Sequence, residues 1–232
     1  TARLETRKQK KIKHHLYGFI DLNKKFSTGQ WLKAVIKIIE DIKKRKKIPI
    51  LVGGTGLYFQ SLIHGLVEIP EVPKKIRKKI RLLQKIEGQE KFYQSLLKID
   101  PKVKKKINPN DKQRSIRAYE IKYYTNISMY DWLKKTKSVF KTKEFLKLYV
   151  DLKREDLVKK ISERAKTMIQ DGAINEVKRF LKLKIRRDHS IQKVIGIAEL
   201  SQYIKKQINL NEAQELITIK TRQYAKRQAT WA

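Results

Sequence analysis

The stretch Ile48-Pro49-Ile50-Leu51-Val52-Gly53-Gly54-Thr55-Gly56-Leu57-Tyr58-Phe59 is the most informative in the chain. Ile48 to Val52 is apolar and β-branched, bounded by Lys47 and a glycine, and predicts a short buried strand. Gly53, Gly54 and Gly56 then leave the turn without side chains, so its backbone can approach another molecule closely. Thr55 is the one hydroxyl there. Phe59, Leu62, Ile63 and Leu66 follow at the spacing of one face of an amphipathic helix. Strand, glycine turn and helix N-terminus together suit an anionic or polar group. A plain strand-to-helix turn in an α/β domain fits the same residues.

Upstream, Ser27 or Thr28 caps a predicted helix whose apolar face is Ala34, Val35, Ile38, Ile39 and Ile42. A helix that leads into a strand is the rhythm of an α/β sheet. His14 and His15 read as structural, since no metal-ligand spacing follows them. Downstream, Pro70 and Pro73 mark a change of character. From there to Lys137 no strand is predicted; Ile76, Ile80, Leu83 and Ile86 suggest one basic helix, and Phe92, Leu96 and Leu97 a second. Asn108-Pro-Asn-Asp111 reads as a turn and helix start, followed by a buried stripe of Ile116, Tyr119 and Tyr123. Phe145 to Leu152 predicts a strand returning to the sheet, and three helices then close the chain around a basic loop at 183–192. The expected organisation is an α/β core from residues 1–69 and 138–232, interrupted by an all-helical insertion at 70–137.

The charge balance is extreme: 57 Lys and Arg against 23 Asp and Glu, a formal +34. Part of this reflects a chain rich in Lys and Ile throughout, but the sign fits a polyanion, and nucleic acid is the commonest one. The absence of cysteine excludes disulfides, thiolate metal sites and a cysteine nucleophile. No apolar run approaches the roughly 20 residues of a membrane helix, and residues 1–13 lack the apolar core of a signal peptide. A cytoplasmic protein is expected.

Four clusters carry candidate chemistry. In Gln113-Arg114-Ser115-Ile116-Arg117, Arg114 and Arg117 share a helix flank and suit phosphate or base edges, or form a solvated charged face. Lys160 and Arg164 lie four apart, where two cations repel unless an anion such as pyrophosphate or solvent screening intervenes. In Lys193-Val194-Ile195-Gly196-Ile197 a glycine interrupts an apolar run, permitting close approach or simple helix packing. In Thr221 to Trp231, Arg222 and Lys226 share one face and Gln223 and Arg227 the next. With interleaved aromatics, that helix can lie along RNA or snorkel at the surface.

Taken in order, the glycine-threonine turn, the Asn108-Pro-Asn-Asp-Lys-Gln-Arg-Ser-Ile-Arg-Ala-Tyr-Glu segment, Gly196 in its apolar run and the closing Thr221-Arg-Gln-Tyr-Ala-Lys-Arg-Gln-Ala-Thr-Trp helix closely resemble the tRNA dimethylallyltransferase (tRNA isopentenyltransferase) family. His14-His15-Leu16 and Phe26-Ser27 fit the same pattern, and the likeness runs over essentially the whole chain. The resemblance implies a P-loop NTPase-like α/β core with a helical insertion that grips the tRNA anticodon arm. It implies transfer of a dimethylallyl group from dimethylallyl diphosphate to N6 of the adenosine at tRNA position 37, by a monomer. By the same resemblance Thr55 contacts the target adenosine in the reaction channel, Arg77, Gln113 to Arg117 and Lys193 to Ala198 contact tRNA, and Arg164 faces the diphosphate; the residue pattern itself adds Arg222, Lys226 and Arg227 as RNA contacts and Lys160 beside Arg164. Diphosphate chemistry adds an expected Mg²⁺, for which the sequence names no ligand.

The family's Gly-rich phosphate loop ending in Gly-Lys-Ser/Thr, and the Asp-Ser segment that supplies its general base, have no counterpart between Thr1 and Ala232. The expectation is therefore an N-terminally truncated chain, inactive alone. Asn126 stands where the family has glycine, and Tyr119 where it has leucine. A non-catalytic RNA-binding fragment and an adenylate isopentenyltransferase are the alternatives. A P-loop kinase would leave the tRNA-like segments unexplained.

Overall fold

A computed structural model describes residues 12–21, 24, 26–183, 185 and 190–230. The chain divides into two compact units, Thr1–Phe59 with Leu146–Ala232, and Gln60–Phe145. The expected insertion, 70–137, lies within the second.

In the first unit, α1 (Thr28–Lys44) begins at a capping box. Ser27 Oγ accepts from the Gln30 backbone N–H at 3.2 Å, and Gln30 Oε1 accepts from the Ser27 N–H at 2.8 Å. Val35 and Ile39, from the predicted apolar face, are its buried residues. Trp31 stacks on Tyr58 with ring centroids 4.3 Å apart, tying α1 to the first turn of α2 (Gly56–His64).

The core of this unit is helical. It is built from α6 (Arg154–Met168), a π turn (Ile169–Ala173), α7 (Ile174–Lys182), α8 (Ile197–Ile204) and α9 (Leu210–Ala229). Ala165, Ala173, Val177, Leu200, Ala213 and Ile217 form its buried cluster. Gly172, at φ +97°, takes the backbone conformation that lets α6 pass into α7.

No strand forms among the described residues, which corrects both strand predictions. Ile48–Val52 and Phe145–Leu152 carry no strand pairing. Ile48, Ile50 and Val52 are 86%, 82% and 87% exposed where burial was expected, and Leu146, Leu148 and Val150 are 87%, 83% and 86% exposed. A strand exists only through hydrogen bonds to a neighbour, so strand-like composition without a partnered edge yields a single extended segment. The α/β character expected of the core is therefore not expressed among these residues.

The second unit is a helical pair with short additions. α3 (Lys74–Ile99) joins the two helices expected there, bent at Gly88 (φ 74°, ψ 173°). A 3₁₀ turn (Pro101–Val103) leads to α4 (Lys112–Thr125), and α5 (Met129–Leu133) follows. Ile80, Phe92 and Ile116 form one buried cluster and Tyr93, Leu96, Val103, Ile107 and Ala118 another, with Tyr119 packed against both.

The Asn108 to Asp111 turn forms as predicted. Asp111 N–H donates to the Asn108 carbonyl at 2.8 Å, and an Asp111 carboxylate oxygen caps α4 by accepting from Arg114 N–H at 2.9 Å. Asn126 closes α4 in the left-handed conformation, φ 55°, which asparagine tolerates better than most residues. The glycine usual in the resembling family is therefore replaced without loss of the cap.

The two ends of this helical stretch meet. Gly65 has φ +88°, and a Cβ there would lie 2.2 Å from the Lys137 carbonyl oxygen. Ser138 Oγ donates to the Leu62 carbonyl at 3.3 Å.

Candidate nucleic-acid interface

In the first unit, Thr55 is exposed at the start of α2, and its carbonyl accepts from the Tyr58 N–H at 2.9 Å. Of the turn's glycines, Gly54 makes a close approach: a Cβ there would lie 1.8 Å from Gln228 Nε2 of α9. The partner that this glycine admits is thus another part of the same chain. Gln228 belongs to the closing basic helix, so the turn and that helix are adjacent.

Along α9, Arg222, Lys226 and Arg227 are exposed, and the Arg227 guanidinium sits 5.7 Å from the centroid of the Tyr224 ring. Trp231 lies outside the described residues, as do residues 184 and 186–189 of the 183–192 loop. Lys160 and Arg164 are exposed on α6, while Ile161 and Ala165 are buried. That is an amphipathic helix with its cations outward, consistent with an anion site or with screening by solvent.

Lys193 and Val194 are exposed, and Ala198 is exposed at the start of α8, whereas Ile195 and Ile197 pack on the core and Gly196 is buried. A Cβ on Gly196 would meet nothing within 4 Å, so crowding does not select glycine here; its φ of +102° does. That bent backbone is held by Glu199, whose Oε2 accepts from the Gly196 N–H at 2.8 Å and whose Oε1 accepts from the Lys220 ammonium of α9. Glu199 is 2% exposed. Burial pushes its carboxyl up, but the Lys220 ammonium, its own N–H and that of Gly196 outweigh burial and leave it below the ordinary glutamate value.

In the second unit, Gln113 and Arg114 are exposed at the start of α4, Arg114 within 3.5 Å of Asp111. Ser115 and Ile116 are core residues instead: Ser115 is fully buried and accepts from Gln89 Nε2 at 3.2 Å, and Ile116 packs with Ile80 and Phe92. The side chains facing outward from this predicted contact segment are therefore Gln113, Arg114 and half-buried Arg117.

Arg117 meets Glu120 at 3.8 Å, and Arg81 of α3 donates to the same carboxylate at 3.3 Å. Desolvation, and then the charge of Arg77, lower the Arg117 guanidinium below its ordinary value, while Glu120 opposes them. Rings of Phe92, Tyr119 and Tyr123 stack outward from the core, with centroids 5.0 and 6.4 Å apart. Lys79 donates to Tyr123 Oη at 3.0 Å.

Sequence reasoning did not reach Arg81, Glu120, Glu199 or Lys220. Glu120 had a faint signal, three residues after Arg117 on the same helix; the Arg81 and Lys220 partnerships join distant helices and had none.

The family model for IPP transferase matches residues 1–232. A tRNA dimethylallyltransferase of Pelagibacter ubique is 70% identical over 232 residues, which are 100% of this chain and 74% of that protein. One from a Wolbachia of Drosophila simulans is 36% identical over 224 residues, covering 96% of this chain and 76% of the relative. The crystal structure of a tRNA delta(2)-isopentenylpyrophosphate transferase from Staphylococcus epidermidis aligns at a TM-score of 0.63 with 30% identity, covering 100% of this chain and 75% of that one. A eukaryotic dimethylallyltransferase captured acting on tRNA aligns at 0.83 with 28% identity, covering 99% of this chain and 58% of the other.

Proposed function

The chain belongs to the IPP transferase family, and from that premise we propose that it transfers a dimethylallyl group from dimethylallyl diphosphate to N6 of the adenosine at position 37 of tRNA. The observation that carries this reading is the 70% identity, along all 232 residues, to a tRNA dimethylallyltransferase. In the reaction the N6 amine attacks the allylic carbon, the carbon–oxygen bond to diphosphate breaks, and the N6 proton passes to a general base, which the family draws from its Asp-Ser segment and which residues 1–232 do not supply. Developing negative charge on the leaving diphosphate needs positioned cations; exposed Lys160 and Arg164 on α6 are assigned that role.

Thr55 is assigned the contact with the target adenosine. Its exposure and its place ahead of a helix N-terminus support this. Gln113, Arg114 and Arg117 on α4, Arg77 on α3, Lys193 to Ala198, and Arg222, Lys226 and Arg227 on α9 are assigned to tRNA. The helical stretch of the second unit is read as the insertion that grips the anticodon arm, and the first unit as the P-loop-like core. A cytoplasmic location and a monomeric state belong to the same reading.

Magnesium goes with diphosphate chemistry in this family. Among the described residues no group of three or more His, Asp or Glu side chains converges into a metal site, so they do not form its cage, and no step here is routed through it. Among the same residues no helix is long and apolar enough to cross a membrane.

Because these residues carry neither the family's phosphate loop nor its general base, the test substitutes this chain for the matching residues of the 70%-identical relative and incubates the hybrid with dimethylallyl diphosphate and an anticodon stem-loop carrying adenosine at position 37, followed by nucleoside mass spectrometry. Dimethylallyl-adenosine is expected from that RNA and none from one carrying guanosine there. Modification of free adenosine monophosphate in preference to the stem-loop would overturn the reading in favour of a nucleotide prenyltransferase. Binding of the stem-loop no tighter than of unrelated RNA would overturn it altogether.

A further inference from the structure

Glu120 is 2% exposed on a helix rich in cations. A buried carboxylate persists only when paired, and this one is paired twice. Its Oε1 accepts from Arg81 Nε of α3 at 3.3 Å, and its Oε2 lies 3.8 Å from Arg117 of α4. The arginine side chains nevertheless reach the surface, 65% exposed for Arg81 and 40% for Arg117.

A third arginine, Arg77, stands one turn before Arg81 on α3, close enough for its charge to disfavour that of Arg117. Its Nε is buried and has no acceptor. Among the described residues one carboxylate thus serves two guanidiniums while the buried Nε of a third, beside them, has no acceptor, an excess of positive charge that these residues leave unanswered. A phosphate, with several acceptor oxygens, supplies what is lacking, and guanidinium forks suit it in geometry as well as charge.

We propose that Glu120 is a positioning residue. It fixes Arg81 and Arg117, beside Arg77, as a clamp on one backbone phosphate of the anticodon arm. The proposal rests on the tRNA reading above; it adds Arg81 to the contacts and gives a role to a carboxylate that should by its charge repel RNA.

That sign makes the test decisive. Glu120→Gln preserves shape and raises the net charge by one. If the carboxylate only contributes charge, the variant of the full 232-residue chain binds an anticodon stem-loop more tightly, with a steeper dependence on salt. If it positions the clamp, affinity falls about 5- to 10-fold and the slope of log K against log salt becomes shallower by about 1, the loss of one phosphate contact.

Glu120→Asp keeps the charge and shortens the reach, and should weaken binding to an intermediate degree. It also carries the test if the glutamine variant melts below the assay temperature. Equal or tighter binding by a folded glutamine variant, or wild-type affinity in the aspartate variant, would overturn the clamp while leaving the tRNA reading intact. A wild-type chain with no preference for the stem-loop over unrelated RNA would remove both.

Discussion

Thr55 is an exposed residue whose carbonyl opens α2, and its hydroxyl takes no partner among the described residues. Thr55→Ala should therefore leave the melting temperature unchanged and lower prenyl transfer by the hybrid enzyme by roughly 10-fold or more, the scale of losing one hydrogen bond aimed at the reacting centre. Thr55→Ser should retain most of the activity; equal loss in both variants would show that the hydroxyl is not the working group. Glu199 is the opposite kind of residue, buried and structural. Glu199→Gln removes the charge that holds Lys220 and the Gly196 N–H, and should cost about 1–3 kcal/mol in a urea melt. Because the folded carboxyl sits below its unfolded value, its contribution is complete above the unfolded pKa and disappears as pH falls through the folded one. The stability gap between wild type and Glu199→Gln should accordingly be widest near neutrality and close in acid, as thermal melts at several pH values would show. A gap independent of pH would mean that packing, not charge, is what glutamine disturbs.

Among the elements, those with local signals were legible in the sequence. The α1 capping box, the Asn108 to Asp111 turn and the amphipathic face of α6 are written within a few residues of one another, because a helix satisfies its own backbone. The two extended segments were not legible in that way. Ile48 to Val52 has the composition of a buried strand, yet its alternate residues Ile48, Ile50 and Val52 are exposed, since burial and pairing depend on a neighbour that composition does not specify. The glycines divide similarly. Gly54 was read as making room for another molecule, and it makes room for Gln228. Gly65, which no motif marked, combines a left-handed backbone with a carbonyl where its side chain would be. Gly65→Ala should destabilise the helical unit by on the order of 1–3 kcal/mol, read from its cooperative melt, because backbone rather than a mobile side chain must yield. An unchanged melt would show that Lys137 moves freely.

For the whole molecule, charge is the dominant variable. With a formal +34, RNA affinity should fall steeply with salt, by roughly 10³-fold between about 50 and about 200 mM if some six phosphates are neutralised. A shallow dependence, measured by titrating a labelled stem-loop at several salt concentrations, would mean that most of the cations face solvent without touching RNA. Composition by itself determined the sign of the partner, and the order of motifs along the chain determined the family, since both are properties of the string and survive any arrangement in space. Helix positions were settled nearly as well, because their hydrogen bonds close within four residues. Tertiary structure alone decided which cations are positioned. Arg81 and Arg117 lie 36 residues apart in the sequence and share Glu120, and Lys220 reaches Glu199 from another helix. Ser115 and Ile116, read as contacts, became core when α4 packed on α3. A side chain's electrostatic role depends on which partners and how much water surround it, and those are fixed only once distant segments meet.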